Sequence, residues 1–295
     1  MIKQFLTASL LLLVMTACGN QKPPDHALHP AAAAEEGTTG MYTTDTKIAE
    51  VMDTPVFGDY RRLILPADSG YYGGDTLGNL SLTWYTHIDP EKEDTGLFFF
   101  KGEPGAKFAV CNAGGAFAYV GAMHDSFPHA LELSKQGYNA FALIYRPGAQ
   151  TVCEDLARAI SFIFANAEEL EVDTGCYSLW GGSAGARMAA WLGSYGPAAF
   201  GGDDLPRPGT VVMQYTGLSE YSPDDPPTYV CVGDSDGIAS WRTMQRRLEA
   251  MAELGIDTEF HCYPGLGHGF GLGTGTVAEG WINDAITFWE KQINQ

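Results

Sequence analysis

The sequence predicts an α/β fold, a mostly parallel sheet of about eight strands covered by helices on both faces, with no large cap domain. Three observations lead there. Short runs rich in β-branched and aromatic residues alternate with longer amphipathic runs, and strands that alternate with helices pair in parallel through right-handed crossovers. Several strand candidates, such as 140–145 and 228–232, are almost wholly apolar, as strands buried on both faces are. The connections are short, and no shift in composition after residue 60 marks a second domain.

The chain begins ahead of that fold. Residues 1–17 carry one positive charge, Lys3, then an apolar stretch from Leu10 to Val14 and small residues. This is the layout of a secretory signal, since the apolar run is far shorter than the ~20 residues that span a bilayer. Met15-Thr16-Ala17-Cys18 resembles the lipobox of bacterial lipoproteins. The resemblance implies removal of 1–17, lipidation of Cys18 as the first mature residue, and export to the extracytoplasmic face of a membrane held by lipid alone. An ordinary cleaved signal fits the same residues. Residues 18–45, rich in Pro, Ala, Gly and Thr, suit a flexible tether, which leaves 46–295 as a single domain.

Within that domain, strands are expected at 61–65 and 79–85, an antiparallel start because only the turn-rich segment 68–75 separates them. A strand at 108–112 follows, then a helix at 125–136 entered through Pro128 and a strand at 140–145. The helix expected at 151–168 places Leu156, Ile160, Ile163 and Phe164 on one side. Next come a strand at 176–180 and a helix at 184–192. Strands at 210–215, 228–232 and 259–263 complete the sheet, with helices at 239–254 and 277–292. The intervals 194–209 and 216–227 are too short for a multi-helix cap, so a site at the sheet edge opens into a cleft.

Composition excludes some partners. With 17 Lys and Arg against 36 Asp and Glu, the formal charge of -19 opposes nucleic acid and anionic lipid surfaces. Cys111, Cys176, Cys231 and Cys262 lie in apolar strand-like runs and suit core positions; with Cys153 they form no Cys-x-x-Cys pair, so a thiolate metal site has no support.

One pentapeptide carries chemistry. Gly181-Gly182-Ser183-Ala184-Gly185 directly follows one expected strand and directly precedes an Ala-rich helix, the strand-turn-helix setting of a nucleophile elbow. A serine hydroxyl needs a base, and the base an orienting carboxylate. Among the seven histidines, His26 and His29 lie in the tether, His87 and His261 in strands, and His124 and His129 flank the first helix. Only His268 occupies a Gly-rich loop after a late strand, which makes it the expected base. For the acid, Asp236 reaches further past the 228–232 strand than Asp234, which is better placed to cap the turn or the following helix. Backbone donors for an oxyanion are expected from Ala184, next to the nucleophile, and from Gly114 and Gly115 after the 108–112 strand. Phe117, Tyr119, Tyr215 and Phe270 are candidate substrate-binding aromatics.

Five segments together resemble the α/β-hydrolase superfamily, and within it the carbohydrate-esterase-like and hormone-sensitive-lipase-like branch, over about residues 80–292. They are Ala113-Gly114-Gly115-Ala116-Phe117, Gln136-Gly137-Tyr138 leading to Leu143-Ile144-Tyr145-Arg146, residues 155–160, Gly182-Ser183-Ala184-Gly185-Ala186, and Gly267-His268-Gly269-Phe270. The resemblance implies a serine esterase without metal or cofactor, acting on small acyl esters, acetyl in particular, of small molecules or glycans. Ala113 and Ala116 depart from the family's His-Gly-Gly-Gly or Pro-Gly-Gly-Gly pattern and leave open which amides form the oxyanion hole. A serine peptidase of the prolyl-oligopeptidase type shares the triad order but usually carries a gating domain that this chain has no room for. A catalytically inactive binding lipoprotein of the same fold is the reading from outside enzymology.

Overall fold

The structure is a computed structural model that describes residues 82–86 and 96–295. The signal, Cys18, the tether and the strand expected at 61–65 lie outside the described residues. Within them the strands form one sheet in the order β1-β2-β4-β3-β5-β6-β7-β8. β1 (Leu82–Thr86) runs antiparallel to β2 (Gly96–Phe100), and β2 antiparallel to β4 (Asn139–Ile144). From β4 through β3 (Lys107–Asn112), β5 (Asp173–Gly182), β6 (Thr210–Gln214), β7 (Thr228–Gly233) and β8 (Thr258–Tyr263), every pairing is parallel.

Helices α1 (Ala122–Asp125), α2 (Phe127–Lys135), α3 (Ala149–Ala165), α4 (Ala184–Tyr195), α5 (Trp241–Glu253) and α6 (Trp281–Ile293) supply the crossovers and cover both faces. α3 and α4 pack on each other, while α2 and α6 meet where the His129 and Trp281 rings lie 5.5 Å apart. The sheet's interior strands are wholly buried over most of their length, and their aromatic side chains interlock. Phe108 stacks on Tyr177 at 5.1 Å and Phe99 on Phe141 at 4.5 Å. Each such residue contributes about 1.5–3 kcal/mol by leaving water. One charged pair is sealed in this interior, Arg247 with Asp225 at 2.7 Å, and the fully buried Asp155 is closed from outside by the half-buried Arg146 at 2.6 Å. The described cysteines are free thiols; of the four expected in the core, Cys111 and Cys231 are buried while Cys176 and Cys262 are half-buried, and Cys153 is buried as well.

The structure corrects the expected elements in three places. β2 was not anticipated: its apolar run Leu97, Phe98, Phe99, Phe100 supplies the antiparallel partner of β1, with Phe98 packed edge-on against Phe127 of α2 at 4.7 Å. The helix expected from residue 125 starts at Phe127, and Asp125 belongs instead to the separate short α1. The last helix begins at Trp281, because the Gly-rich approach ends with Gly280 at φ 92°, which is not a helical conformation.

The strand order also places the site. From β3 the chain moves outward to β4 and then crosses back to β5 on the other side, so the loops leaving β3 and β5 part company and open a crevice at the carboxyl edge of the sheet. The loops after β7 and β8 open at the same edge.

Candidate active site

Ser183 sits in that crevice between β5 and α4, with φ 51° and ψ -112°, a conformation that costs of order 1–3 kcal/mol in a non-glycine residue. Its own N–H donates to Gln214 O at 3.0 Å, fastening the elbow to β6. The turn is possible because α4 lies almost against β3. A β-carbon on Gly185 would stand 2.0 Å from Asn112 O and 2.6 Å from Ala113 O. Of the six non-glycine residues with positive φ among the described residues, Ala116, Phe117, Ser183 and Tyr215 all belong to loops at this edge.

The three residues expected to act together are brought into line. His268 Nε2 is 3.0 Å from Ser183 Oγ, and His268 Nδ1 is 2.8 Å from Asp236 Oδ2. The Asp236 side chain is fully buried and the His268 side chain 19 % exposed, so the carboxylate is shielded while the imidazole edge faces the cleft. Asp236 is held in orientation by its other oxygen, Oδ1, which accepts the N–H groups of Ile238 and Ala239, each at 2.8 Å. The capping role expected of Asp234 therefore falls on Asp236. Asp234 instead accepts the Gly265 N–H at 2.7 Å and so ties the β7 loop to the loop that carries His268.

The oxyanion donors need one correction. Gly114 N–H donates to Asp125 Oδ2 at 3.0 Å and is not available to a substrate. The amides of Gly115 and Ala184 donate to no group among the described residues. Ala184 is the first residue of α4, where helix geometry leaves N–H groups unsatisfied and the helix dipole favours negative charge. Gly115, at φ 140°, turns its loop so tightly that a β-carbon would stand 2.0 Å from Tyr119 O. Tyr145 supports this loop from below, its hydroxyl donating to Ala113 O at 2.6 Å.

Asp125 is the residue that the sequence reading missed. Buried beneath the elbow, it accepts Gly114 N–H on one oxygen and the Tyr215 hydroxyl, at 2.6 Å, on the other. The neighbouring His124 contacts Gly269 O, one residue beyond His268. These two consecutive residues of α1 thus reach both the loop after β3 and the loop after β8. The available signal was a His-Asp pair in an otherwise small and apolar stretch, Gly121 to Phe127.

Of the candidate substrate-binding aromatics, Tyr215 and Phe270 are buried and do not line the cleft. Tyr215 packs edge-on against His268 at 5.1 Å and against Phe270 at 4.8 Å, forming a wall behind the imidazole. Phe117 is half-buried, stacked on Trp191 at 5.8 Å, and Tyr119 is exposed. Among the described residues no group of three or more His, Cys, Asp or Glu is arranged to hold a metal ion, and no helix is long and apolar enough to cross a membrane.

The BD-FAE family description matches residues 101–203. No curated protein matches the chain significantly. Among solved structures, the α/β-hydrolase enzyme MGS-M1 from a Medee basin deep-sea metagenome library is 19% identical, with a TM-score of 0.64 over 73% of this chain and 99% of that one. An acetyl ester-xyloside bifunctional hydrolase from Caldicellulosiruptor lactoaceticus is 21% identical, with a TM-score of 0.59 over 67% of this chain and 88% of that one. A thermophilic esterase from Thermogutta terrifontis is 20% identical, with a TM-score of 0.59 over 74% and 93% of the two chains. With an elbow after β5 and acid and histidine loops after β7 and β8, the chain has the α/β-hydrolase fold.

Proposed function

We propose that the protein is a serine carboxylesterase that hydrolyses small acyl esters, acetyl esters first among them, of small molecules or carbohydrates. The observation that carries this reading is the hydrogen-bonded line from Ser183 Oγ through His268 to the shielded carboxylate of Asp236. His268 Nε2 takes the hydroxyl proton as Oγ attacks the ester carbonyl, and Asp236 stabilises the imidazolium that forms. The N–H groups of Gly115 and Ala184 receive the negative charge of the tetrahedral intermediate, each worth roughly 2.7–4 kcal/mol in such sites. The imidazolium then returns its proton to the departing alkoxide, leaving an acyl-enzyme on Ser183. Water activated by His268 hydrolyses that acyl-enzyme.

The likeness to structures named as esterases and as an acetyl ester-xyloside hydrolase is consistent with this choice of substrate. We place the protein outside the cytoplasm, held to a membrane through lipid on Cys18. An alkyne fatty acid fed to expressing cells should label the wild type and not Cys18→Ser; equal labelling removes the anchor.

The function is tested by hydrolysis of 4-nitrophenyl acetate, butyrate and octanoate. Acetate should be the preferred substrate, and Ser183→Ala, folded as judged by circular dichroism, should lose at least about 10³-fold in kcat. Retained turnover in that variant removes Ser183 as nucleophile. Cleavage of peptides but not of esters transfers the site to a serine peptidase.

A further inference from the structure

Arg187 is the fourth residue of α4, whose first turn follows directly on Ser183, so it lies about 6 Å along the helix axis from the elbow. Helical side chains lean toward the helix start, which here is the carboxyl edge of the sheet and the cleft. The half-buried guanidinium meets the loop after β6. Its Nε–H is directed at Thr216 Oγ1, 3.4 Å away, and Nη2 lies beside Gly217. A β-carbon on Gly217 would be 4.0 Å from that nitrogen and 3.8 Å from Ala239 Cα. Ala239 is the residue whose N–H the triad carboxylate Asp236 holds. The guanidinium therefore stands among the first turn of α4, the loop after β6 and the loop after β7.

This cation lacks the partner that comparable arginines have. Arg146 closes on Asp155 and Arg247 on Asp225, whereas no described carboxylate comes within ion-pair distance of Arg187. Acidic residues are not scarce, with 36 against 17 basic ones. A guanidinium stays charged at any physiological pH and presents five N–H donors in a planar fork. One long bond to a hydroxyl occupies little of that capacity, which leaves the fork open to a ligand. The complementary group is a carboxylate, which a guanidinium binds through two parallel hydrogen bonds. On so acidic a protein, a localised cation beside the nucleophile is also what an anionic substrate needs to approach.

We propose that Arg187 is a specificity-determining residue that receives a carboxylate carried by the ester substrate, about one helical turn from the scissile carbonyl. The proposal rests on the serine esterase reading and adds to it the substrate class, an ester bearing an anionic group. That group does not react. It anchors the molecule while Ser183 attacks.

Two matched pairs of esters test this. Mono-4-nitrophenyl glutarate against 4-nitrophenyl pentanoate varies the charge on the acyl side, and 4-acetoxybenzoate against its methyl ester varies it on the alcohol side. Each is assayed with wild type, Arg187→Gln and Arg187→Lys, so that intrinsic reactivity cancels in the ratio to wild type. Arg187→Gln should lose about tenfold or more in kcat/KM on one anionic ester beyond its loss on the neutral partner, chiefly through KM. Arg187→Lys, which keeps the charge without the fork, should fall between. Equal losses on the charged and neutral members of both pairs overturn the proposal. If the wild type hydrolyses none of the four, the esterase reading fails, and the site is then tested by calorimetric titration with glutarate and 4-hydroxybenzoate. Binding of either anion to wild type but not to Arg187→Gln upholds the anion site; equal or absent binding to both overturns it.

Discussion

Asp125 shows what a single residue contributes here without touching substrate. Its two oxygens hold the Gly114 amide and the Tyr215 hydroxyl, and Tyr215 in turn backs the His268 ring. Asp125→Ala removes the acceptor of both donors, at about 1–3 kcal/mol for a buried donor left without one, and frees the loop that carries the Gly115 amide. The expected outcome is a fall in kcat of about 10- to 100-fold with a smaller change in KM, because the loss bears on the transition state. Asp125→Asn, which keeps one acceptor oxygen, should recover most of that loss, and Tyr215→Phe should cost less than Asp125→Ala. A folded Asp125→Ala with unchanged kcat would show that the carboxylate only supports the fold. The contrast with Ser183, Asp236 and His268 is instructive. Each of those sits at the end of a strand or in the loop that follows one, in a Gly-rich context that marks it locally. Asp125 acquires its meaning from Gly114, 11 residues away, and from Tyr215, 90 residues away, and no local pattern carries that information.

At the scale of elements, the elbow depends on how closely α4 approaches β3. Gly185→Ala would put a β-carbon 2.0 Å from Asn112 O, which is backbone and cannot rotate aside. The helix must move outward, at about 1–3 kcal/mol or more, and Ala184 N–H moves with it. Melting temperature should fall by roughly 2–4 °C per kcal/mol, and activity should drop together with it. Gly237→Ala is the control, because open space surrounds that position and its stability should be unchanged. A Gly185→Ala protein as stable as wild type would mean that the contact is softer than its geometry implies. The same scale separates what periodicity reveals from what it hides. The alternation of strands and helices from 108 onward was legible because parallel strands buried on both faces read as continuous apolar runs. β2 escaped although it is just as apolar, because nothing beside it supplies a crossover helix. It pairs antiparallel on both sides, so the βαβ rhythm that identified its neighbours does not extend to it.

The whole molecule carries a pH dependence set in its core, between the two helices that cover one face of the sheet. His129 of α2 is buried against Trp281 of α6; the Gln214 side chain lies close to its ring, but neither ring nitrogen makes a hydrogen bond of good geometry. Burial, with the nearby His124 adding to it and the Gln214 side chain opposing it in part, lowers its pKa from 6.5 to about 3. The sequence placed His129 at the edge of the first helix but could not reveal this, because its environment is made by α6, more than 150 residues later. In the folded protein His129 stays neutral down to about pH 3, whereas in the unfolded chain it binds a proton below about 6.5. The unfolded state therefore holds the extra proton throughout that window, and stability falls as pH falls, by about 1.4 kcal/mol per pH unit from this group alone. His129→Leu, of similar volume, removes the group and its slope. Measured by urea unfolding, the stability of His129→Leu relative to wild type should rise by about 2–3 kcal/mol between pH 6 and pH 4. Carboxylates common to both proteins cancel in that difference, so curves that run parallel from pH 6 to pH 4 would show that His129 takes up its proton in the folded state as readily as in the unfolded one.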